Sequence, residues 1–202
     1  MDYALFFWLA WMLWIIVAFF MRTSAGQGLL AATILATIIC APMTFTEGPL
    51  QMSAAYGIVM LLACGWAGSL GVRHKWKFFL SAVALMFLYA SFQLMIWYNP
   101  AFFLLGEVWL SAVVLAFLTV FICSYAEGRY PLILLAFCFG ELIGAITVMP
   151  LTGGLYLADT FFYNVLTAVL MLIVAWHALE VWAYKLTGTR TPSRHSPGRL
   201  SL

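Results

Sequence analysis

Long apolar segments fill most of this chain, and its basic residues all fall on one side of them. Seven such segments can be read from the sequence, each close to the roughly 20 residues that a membrane-spanning helix needs. The connections after the odd-numbered segments hold all nine Lys and Arg residues: Arg22, Arg73, Lys75, Lys77, Arg129, Lys185, Arg190, Arg194 and Arg199. Because cytoplasmic loops carry the excess of Lys and Arg, the sequence predicts an external N-terminus and a cytoplasmic C-terminus.

Composition places the chain among helical membrane proteins. Hydrophobic residues make up 66% of it and charged residues 8%, against roughly 25% charged residues in a soluble domain. The apolar runs are continuous, whereas the strands of a membrane barrel alternate apolar with polar residues. We therefore predict an all-α fold, a polytopic transmembrane bundle over residues 1–187, with spans at 3–21, 28–45, 52–72, 78–98, 101–124, 131–149 and 160–183.

The connections between the predicted spans are short. Pro131 is predicted to start the sixth span and Pro150 to end it, and Asp159 to cap the seventh. Asn99 and Pro100 predict a tight hairpin between the fourth and fifth spans. Residues 188–202 are polar, basic and proline-containing, which predicts a disordered cytoplasmic tail. No connection is long enough for a soluble domain, so a binding site has to be built from the spans or their ends.

Two glycine patterns indicate close helix packing. Gly65, Gly68 and Gly71 recur every three residues in the third span, and Gly140 and Gly144 are four apart in the sixth. Small residues let membrane helices approach closely. We interpret both patterns as packing within the molecule.

Acidic residues within the predicted spans are the most direct indication of a functional site. At 1.5 Å per residue, Glu107 lies about 9 Å and Glu141 about 12 Å below the predicted outer ends of their spans. Every basic residue is on the inner side, so neither acid has a cationic partner at its depth. Gln93 and Asn164 reach similar depths, and the four side chains together predict a polar pocket that opens outward. The alternative is that neutral acids form hydrogen bonds between helices.

A second polar pair lies near the cytoplasmic end of the seventh span. His177 and Glu180 are three residues apart and share a helix face. A carboxylate that orients an imidazole can serve in proton transfer or metal binding, but no other histidine lies in a span, so a metal or haem would lack ligands. We favour an interfacial salt bridge and predict no metal and no cofactor.

The remaining patterns argue against an enzyme. The cysteines form no C-x-x-C pair, there is no H-E-x-x-H motif, and the seventh span has no central lysine for a retinal Schiff base. Two hypotheses stay open. The chain is a non-catalytic membrane component that packs against lipids or other membrane proteins, or a small transporter that binds protons or cations through its intramembrane carboxylates. No nucleic-acid partner is expected.

The layout of the chain resembles a known family. The resemblance covers most of the chain and rests on its length, on an acid early in the later spans, on the Trp-rich first span and on two short stretches, Phe19-Phe20-Met21-Arg22 and Arg73-His74-Lys75-Trp76-Lys77. In these features the chain is similar to the YphA-like membrane proteins of Bacillus-type bacteria. The resemblance implies a multi-pass protein of the bacterial cell membrane and assigns no activity to any residue.

Overall fold

The computed structural model describes residues 3–21, 25–69, 75–98, 106–123 and 126–187. Most of these residues are helical, as predicted. The elements in chain order are α1 (Ala4–Ile15) with a π-helical continuation (Ile16–Phe20), α2 (Ala25–Cys40), β1 (Thr44–Glu47), β2 (Leu50–Ser53), α3 (Ala54–Ser69), α4 (Lys75–Tyr98), α5 (Glu107–Ile122), α6 (Ala126–Thr152), β3 (Leu155–Leu157) and α7 (Thr160–Thr187). The predicted tail, 188–202, lies outside the described residues.

The helices differ in their capacity to cross a membrane. Three contain apolar stretches that are long enough, namely Trp76–Ile96 in α4, Gly128–Thr152 in α6 and Thr160–Ala183 in α7. The other four described helices are apolar but shorter. A helix such as α3, with 16 residues, is about 24 Å long, against a hydrocarbon core of about 30 Å. The count of seven spans therefore stays a prediction.

A small sheet covers one end of the bundle and corrects the all-α prediction. β1 and β2 form an antiparallel hairpin, and β3 pairs with β2 in parallel. Gly48 adopts a φ of +58° in the two-residue turn, a conformation that glycine takes without steric penalty. The predicted spans 28–45 and 52–72 were too long at this end, because α2 stops at Cys40 and α3 begins at Ala54. Apolar and polar residues alternate over 44–46 and 50–53, a strand pattern that the prediction overlooked.

The prolines do not bound α6 as predicted. The helix begins at Ala126, passes through Pro131 and Pro150 and ends at Thr152. A membrane helix tolerates proline where neighbouring groups re-satisfy the freed carbonyl, so proline alone is a weak boundary signal here.

The predicted start of the fifth span is also wrong. Gly106 has a φ of +92°, which an α-helix cannot contain, and α5 begins at Glu107. Asn99 and Pro100, the predicted hairpin, lie outside the described residues. Glu107 is therefore the first residue of its helix, not a position two turns inside it.

The core forms around α6 and α7. α6 packs against α3 and α4, and α7 packs against α1 and α5. Large side chains fill these interfaces, among them Tyr89, Phe137, Phe162 and Tyr163, all of which are buried. Large apolar side chains such as Phe20, Leu61 and Phe121 are instead exposed on the outside of the bundle. Such a surface suits contact with lipid chains.

The two glycine patterns have different outcomes. A Cβ on Gly140 would lie 2.9 Å from the carbonyl oxygen of Met86, and a Cβ on Gly144 would overlap Gln93 Oε1. The predicted close packing at this pair is confirmed, and its partner is α4. At Gly65 and Gly68 the prediction is wrong, because no described atom would lie within 4 Å of a Cβ at either position. Gly71 lies outside the described residues.

The two ends of the bundle differ in charge. We call the end that carries the three strands the sheet end, and Glu47 and Asp159 lie there. The opposite end, which we call the basic end, holds Lys77 near the start of α4, Arg129 near the start of α6 and Lys185 near the end of α7. The predicted segregation of charge therefore holds for these described residues.

Candidate functional site

A buried carboxylate lies at the centre of the polar contacts near the sheet end. Glu141 is 1% exposed. Its Oε2 accepts hydrogen bonds from the Tyr89 hydroxyl at 2.7 Å and from Gln93 Nε2 at 2.8 Å. Its Oε1 accepts one from the backbone N–H of Ala158 at 3.0 Å. None of the ion pairs within the described ranges involves Glu141, so neutral donors alone hold this carboxylate in place.

Local sequence explains how α4 reaches Glu141. Tyr89 and Gln93 are four residues apart on α4, so they project from the same helix face. Gly140 and Gly144 flank Glu141 on α6, and their missing side chains leave room for α4 to approach. The two donors are thereby brought onto one carboxylate oxygen.

The loop before α7 supplies the third donor in an unusual conformation. Ala158 has a φ of +57°, which is uncommon for a residue with a side chain. The parallel pairing of β3 with β2 and the hydrogen bond to Glu141 hold this loop. The next residue, Asp159, accepts a hydrogen bond from the Phe162 N–H at 3.1 Å through Oδ1. The predicted N-cap of α7 is therefore confirmed.

A cavity of about 480 Å³ adjoins Glu141 and extends to the sheet end. Helices α4 and α6, β3 and the two loops that flank β3 form its walls. The residues that line it are Gln93, Glu141, Gly144, Ala145, Val148, Thr152, Gly154, Tyr156 and Asp159. None of these is basic, and two are acidic. From Glu141 to Thr152 the cavity follows α6 for about 16 Å.

One buried polar atom in the wall has no partner in the part of the chain that the structure describes. Gln93 Nε2 donates to Glu141, whereas Gln93 Oε1 is buried and has no hydrogen-bond partner among the described residues. Leaving a buried acceptor unsatisfied costs about 1–3 kcal/mol. A donor bound in the cavity would satisfy this atom.

The four residues predicted to form a pocket are only partly brought together. Gln93 and Glu141 are hydrogen-bonded to each other and line the cavity. Asn164 does not line it, because its Oδ1 accepts the Phe6 N–H at 2.9 Å and so caps the start of α1. For Glu107 the structure describes only the backbone, at the first residue of α5.

Three side chains of this site were not predicted from the sequence to belong to it. Asp159 was interpreted only as a helix cap, yet it also lines the cavity. Tyr89 could have been found from its position one turn before Gln93. Tyr156 joins the wall only because β3 pairs with β2, a long-range contact with no local sequence signal.

The second predicted pair belongs to a larger polar cluster at the basic end. His177 Nδ1 lies 3.8 Å from Glu180 Oε2, but Arg129 Nη1 is 3.1 Å from both Glu180 oxygens. Trp176 Nε1 also donates to Glu180, at 2.6 Å. Arg129 Nε in turn donates to the Cys123 carbonyl at 2.9 Å. A salt bridge at this position was predicted, but the principal partner of Glu180 is Arg129 from α6.

Neither polar region resembles a metal centre. Within the described parts of the chain, no three His, Cys, Asp or Glu residues are grouped so that they could hold a metal ion. Glu141 and Asp159 are the two acids of the cavity, and Glu180 is the acid of the cluster at the basic end.

Comparisons with known proteins agree with the membrane architecture. The model of the YphA-like integral membrane proteins matches residues 2–197. A curated relative, the uncharacterised protein YphA of Bacillus subtilis, is 24% identical over 175 residues, which is 86% of each chain. No solved structure matches the chain.

Proposed function

The chain belongs to the family of YphA-like integral membrane proteins, and from that premise we propose that it binds a small cationic solute in the cavity beside Glu141. The bilayer is its environment, and the proposed membrane is the plasma membrane of a bacterium. The proposed activity is binding and passage of a solute, without catalysis.

The observation that carries this proposal is the position of a buried carboxylate on a cavity whose described lining residues include none that is basic. Glu141 is 1% exposed and lines a cavity of about 480 Å³. An ionisable group within a membrane protein is expensive to keep and most often marks a pathway for ions or substrate. The second acid, Asp159, lies where the cavity reaches the sheet end. Both charges favour a positively charged occupant.

The charge of the two ends supports an outward-facing cavity. Lys77, Arg129 and Lys185 lie at the basic end, and the cavity lies towards the sheet end. The excess of Lys and Arg stays in the cytoplasm. On this basis we place the sheet end, the cavity and the N-terminus outside the cell.

A second function remains to be distinguished from this one. If Glu141 only joins α4, α6 and the loop before α7 through its three hydrogen bonds, the protein is a packing component of the membrane. Interhelical hydrogen bonds in a membrane contribute on average about 0.6 kcal/mol each to stability. Glu141 would make these hydrogen bonds under either proposal, so they do not discriminate between the two functions. Only ligand binding separates them.

The test is the thermal stability of the purified full chain in detergent, with a panel of chloride salts at matched ionic strength: sodium, magnesium, tetramethylammonium and n-butylammonium. A cation at one hundred times its Kd adds about 2.7 kcal/mol to the free energy of unfolding. We expect at least one cation to raise the melting temperature of the parent, Glu141→Gln to abolish this rise, and Asp159→Asn to reduce it by about half, as a tenfold weaker Kd would.

The variants are chosen to keep the fold. In Glu141→Gln, the new Nε2 group can donate to Gln93 Oε1 after the Gln93 amide rotates by about 180°. In Asp159→Asn, the helix cap is kept, because asparagine caps a helix as well as aspartate does. Glu47→Gln is the matched control, since Glu47 is an exposed acid at the sheet end that does not line the cavity. Identical melting curves for parent and variants in every salt would leave only the packing function.

A further inference from the structure

Resting on the proposed function, we infer that the cavity takes a small organic ammonium ion with N–H donors and a hydrocarbon body. The acceptors, the size and the walls of the cavity each restrict the ligand. Together they distinguish an organic ammonium ion from a bare metal ion and from a neutral solute.

Around Gln93, Glu141 and Asp159, the polar side-chain atoms or sites without a partner among the described residues are acceptors. Gln93 Oε1 is buried without a described partner. Glu141 accepts three hydrogen bonds from the described residues, and a carboxylate has about four acceptor sites, which leaves one site for a further donor. Asp159 has one described hydrogen bond to its side chain, at Oδ1, and open acceptor sites beyond it. A ligand that satisfies this wall has to bring donors, and an ammonium group brings up to three.

The cavity does not suit a bare metal ion. Its volume of about 480 Å³ falls in the range of small-molecule sites, roughly 300–1,000 Å³. Calcium requires about six to eight oxygen ligands in a compact shell. The described residues contain no group of three or more acids, cysteines or histidines that could provide one.

The rest of the wall suits a hydrocarbon body. Gly144, Ala145 and Val148 present an apolar strip along α6 next to Glu141. Tyr156 places an aromatic ring in the same wall, with 52% of the residue exposed. A cation near such a ring is attracted to its π-face. The ammonium group of the ligand can therefore bind the acceptors and the Tyr156 ring, and the hydrocarbon part of the ligand can pack against the apolar strip of α6.

The test is titration calorimetry of the full chain in detergent with four probes. These are n-butylammonium chloride, its neutral isostere 1-butanol, tetramethylammonium chloride, which lacks N–H donors, and magnesium chloride. We expect n-butylammonium to bind at least tenfold more tightly than each of the others. Asp159→Asn should weaken its binding about tenfold, because the charge is lost while the cap is kept.

Tyr156 provides a matched pair of variants. Tyr156→Phe keeps the ring and should leave the Kd of n-butylammonium unchanged. Tyr156→Leu removes the ring and should raise that Kd about two- to fivefold. Equal losses in both variants would show that the ring does not contact the cation and would overturn that part of the inference.

The outcomes separate this inference from the proposed function. If magnesium or tetramethylammonium binds as tightly as n-butylammonium, and Glu141→Gln removes that binding, the cavity binds cations and the inference about N–H donors is wrong. If 1-butanol binds as tightly as n-butylammonium, the inference that the ligand must carry a positive charge is wrong. If no cation binds, the proposed function fails together with the inference.

Discussion

Individual residues explain why the site forms where α4 crosses α6. Tyr89 and Gln93 can both donate to Glu141 only because glycines flank Glu141 on α6 and let α4 come close. A side chain at position 140 would meet the backbone carbonyl oxygen of Met86, which cannot rotate away, whereas a side chain at position 144 would meet only the side chain of Gln93. Glycine is therefore required at position 140 by packing and not by backbone conformation.

We expect Gly140→Ala to destabilise the folded protein. The added methyl would lie 2.8 Å from Tyr89 Cδ1 and 2.9 Å from Met86 O, so α4 and α6 would have to separate. Overpacking of this kind costs about 1–3 kcal/mol, and the melting temperature in detergent should fall accordingly. Gly57→Ala is the control, because no described atom would lie within 4 Å of the added Cβ and alanine is more favourable than glycine in a helix by about 1 kcal/mol. An unchanged melting temperature for Gly140→Ala would contradict the close packing.

At the scale of elements, β3 connects two parts of the chain that are distant in sequence. Its pairing with β2 ties the connection between α6 and α7 to the connection between α2 and α3. The Tyr163 hydroxyl supports the same joint, since it donates to Ser53 Oγ at 2.8 Å, and Ser53 Oγ donates to the Ala41 carbonyl at 2.9 Å. These contacts position the loop that carries Ala158 and Asp159.

A pair of cysteines can test this strand pairing. Gln51 and Tyr156 are Cα partners in the parallel register, and neighbouring strands lie about 4.8 Å apart, within the separation that a disulfide can span. In a background without the native cysteines, Gln51→Cys with Tyr156→Cys should cross-link on mild oxidation, as read by mass spectrometry of the digested protein. Thr46→Cys with Tyr156→Cys is the control, because Thr46 lies on β1, one strand further away. Cross-linking only in the control pair would show that the strand order is wrong.

Another joint between elements lies at the opposite end. Arg129 on α6 binds Glu180 on α7 and the Cys123 carbonyl after α5. The Arg129 side chain is 6% exposed and that of Glu180 30%. This ion pair is less hydrated than a surface pair, and it holds three elements together at the basic end.

For the whole molecule, the separation of charge makes a testable statement about orientation. Glu47 on β1 and Lys77 on α4 are both exposed and lie at opposite ends of the bundle. In a background without the native cysteines, Glu47→Cys should react with a membrane-impermeant maleimide in intact cells. Lys77→Cys should react only after the cells are permeabilised, because the basic end stays in the cytoplasm. Labelling of both positions from the same side would contradict the orientation and the seven-span topology.

The amino-acid sequence by itself determined the membrane class, the helical character and the segregation of charge. These properties depend on local composition and on the length of apolar runs, because those two features govern insertion into a bilayer and orientation across it. The Asp159 cap was also predictable, since a cap depends on the residues of one turn. The family followed from the layout of the chain and is shown by the match over residues 2–197.

Only the tertiary structure decided which polar residues meet. Gln93 and Glu141 converge because glycines let α4 approach α6, whereas Asn164, at a similar predicted depth, turns to the start of α1. The depth of a residue along a helix does not specify which side of the helix its side chain faces. Similar depth therefore could not distinguish Asn164 from Gln93 and Glu141. Tyr156 and Ala158 enter the site through a parallel strand pairing across about a hundred residues of sequence, and such a contact is set by packing and not by any local pattern.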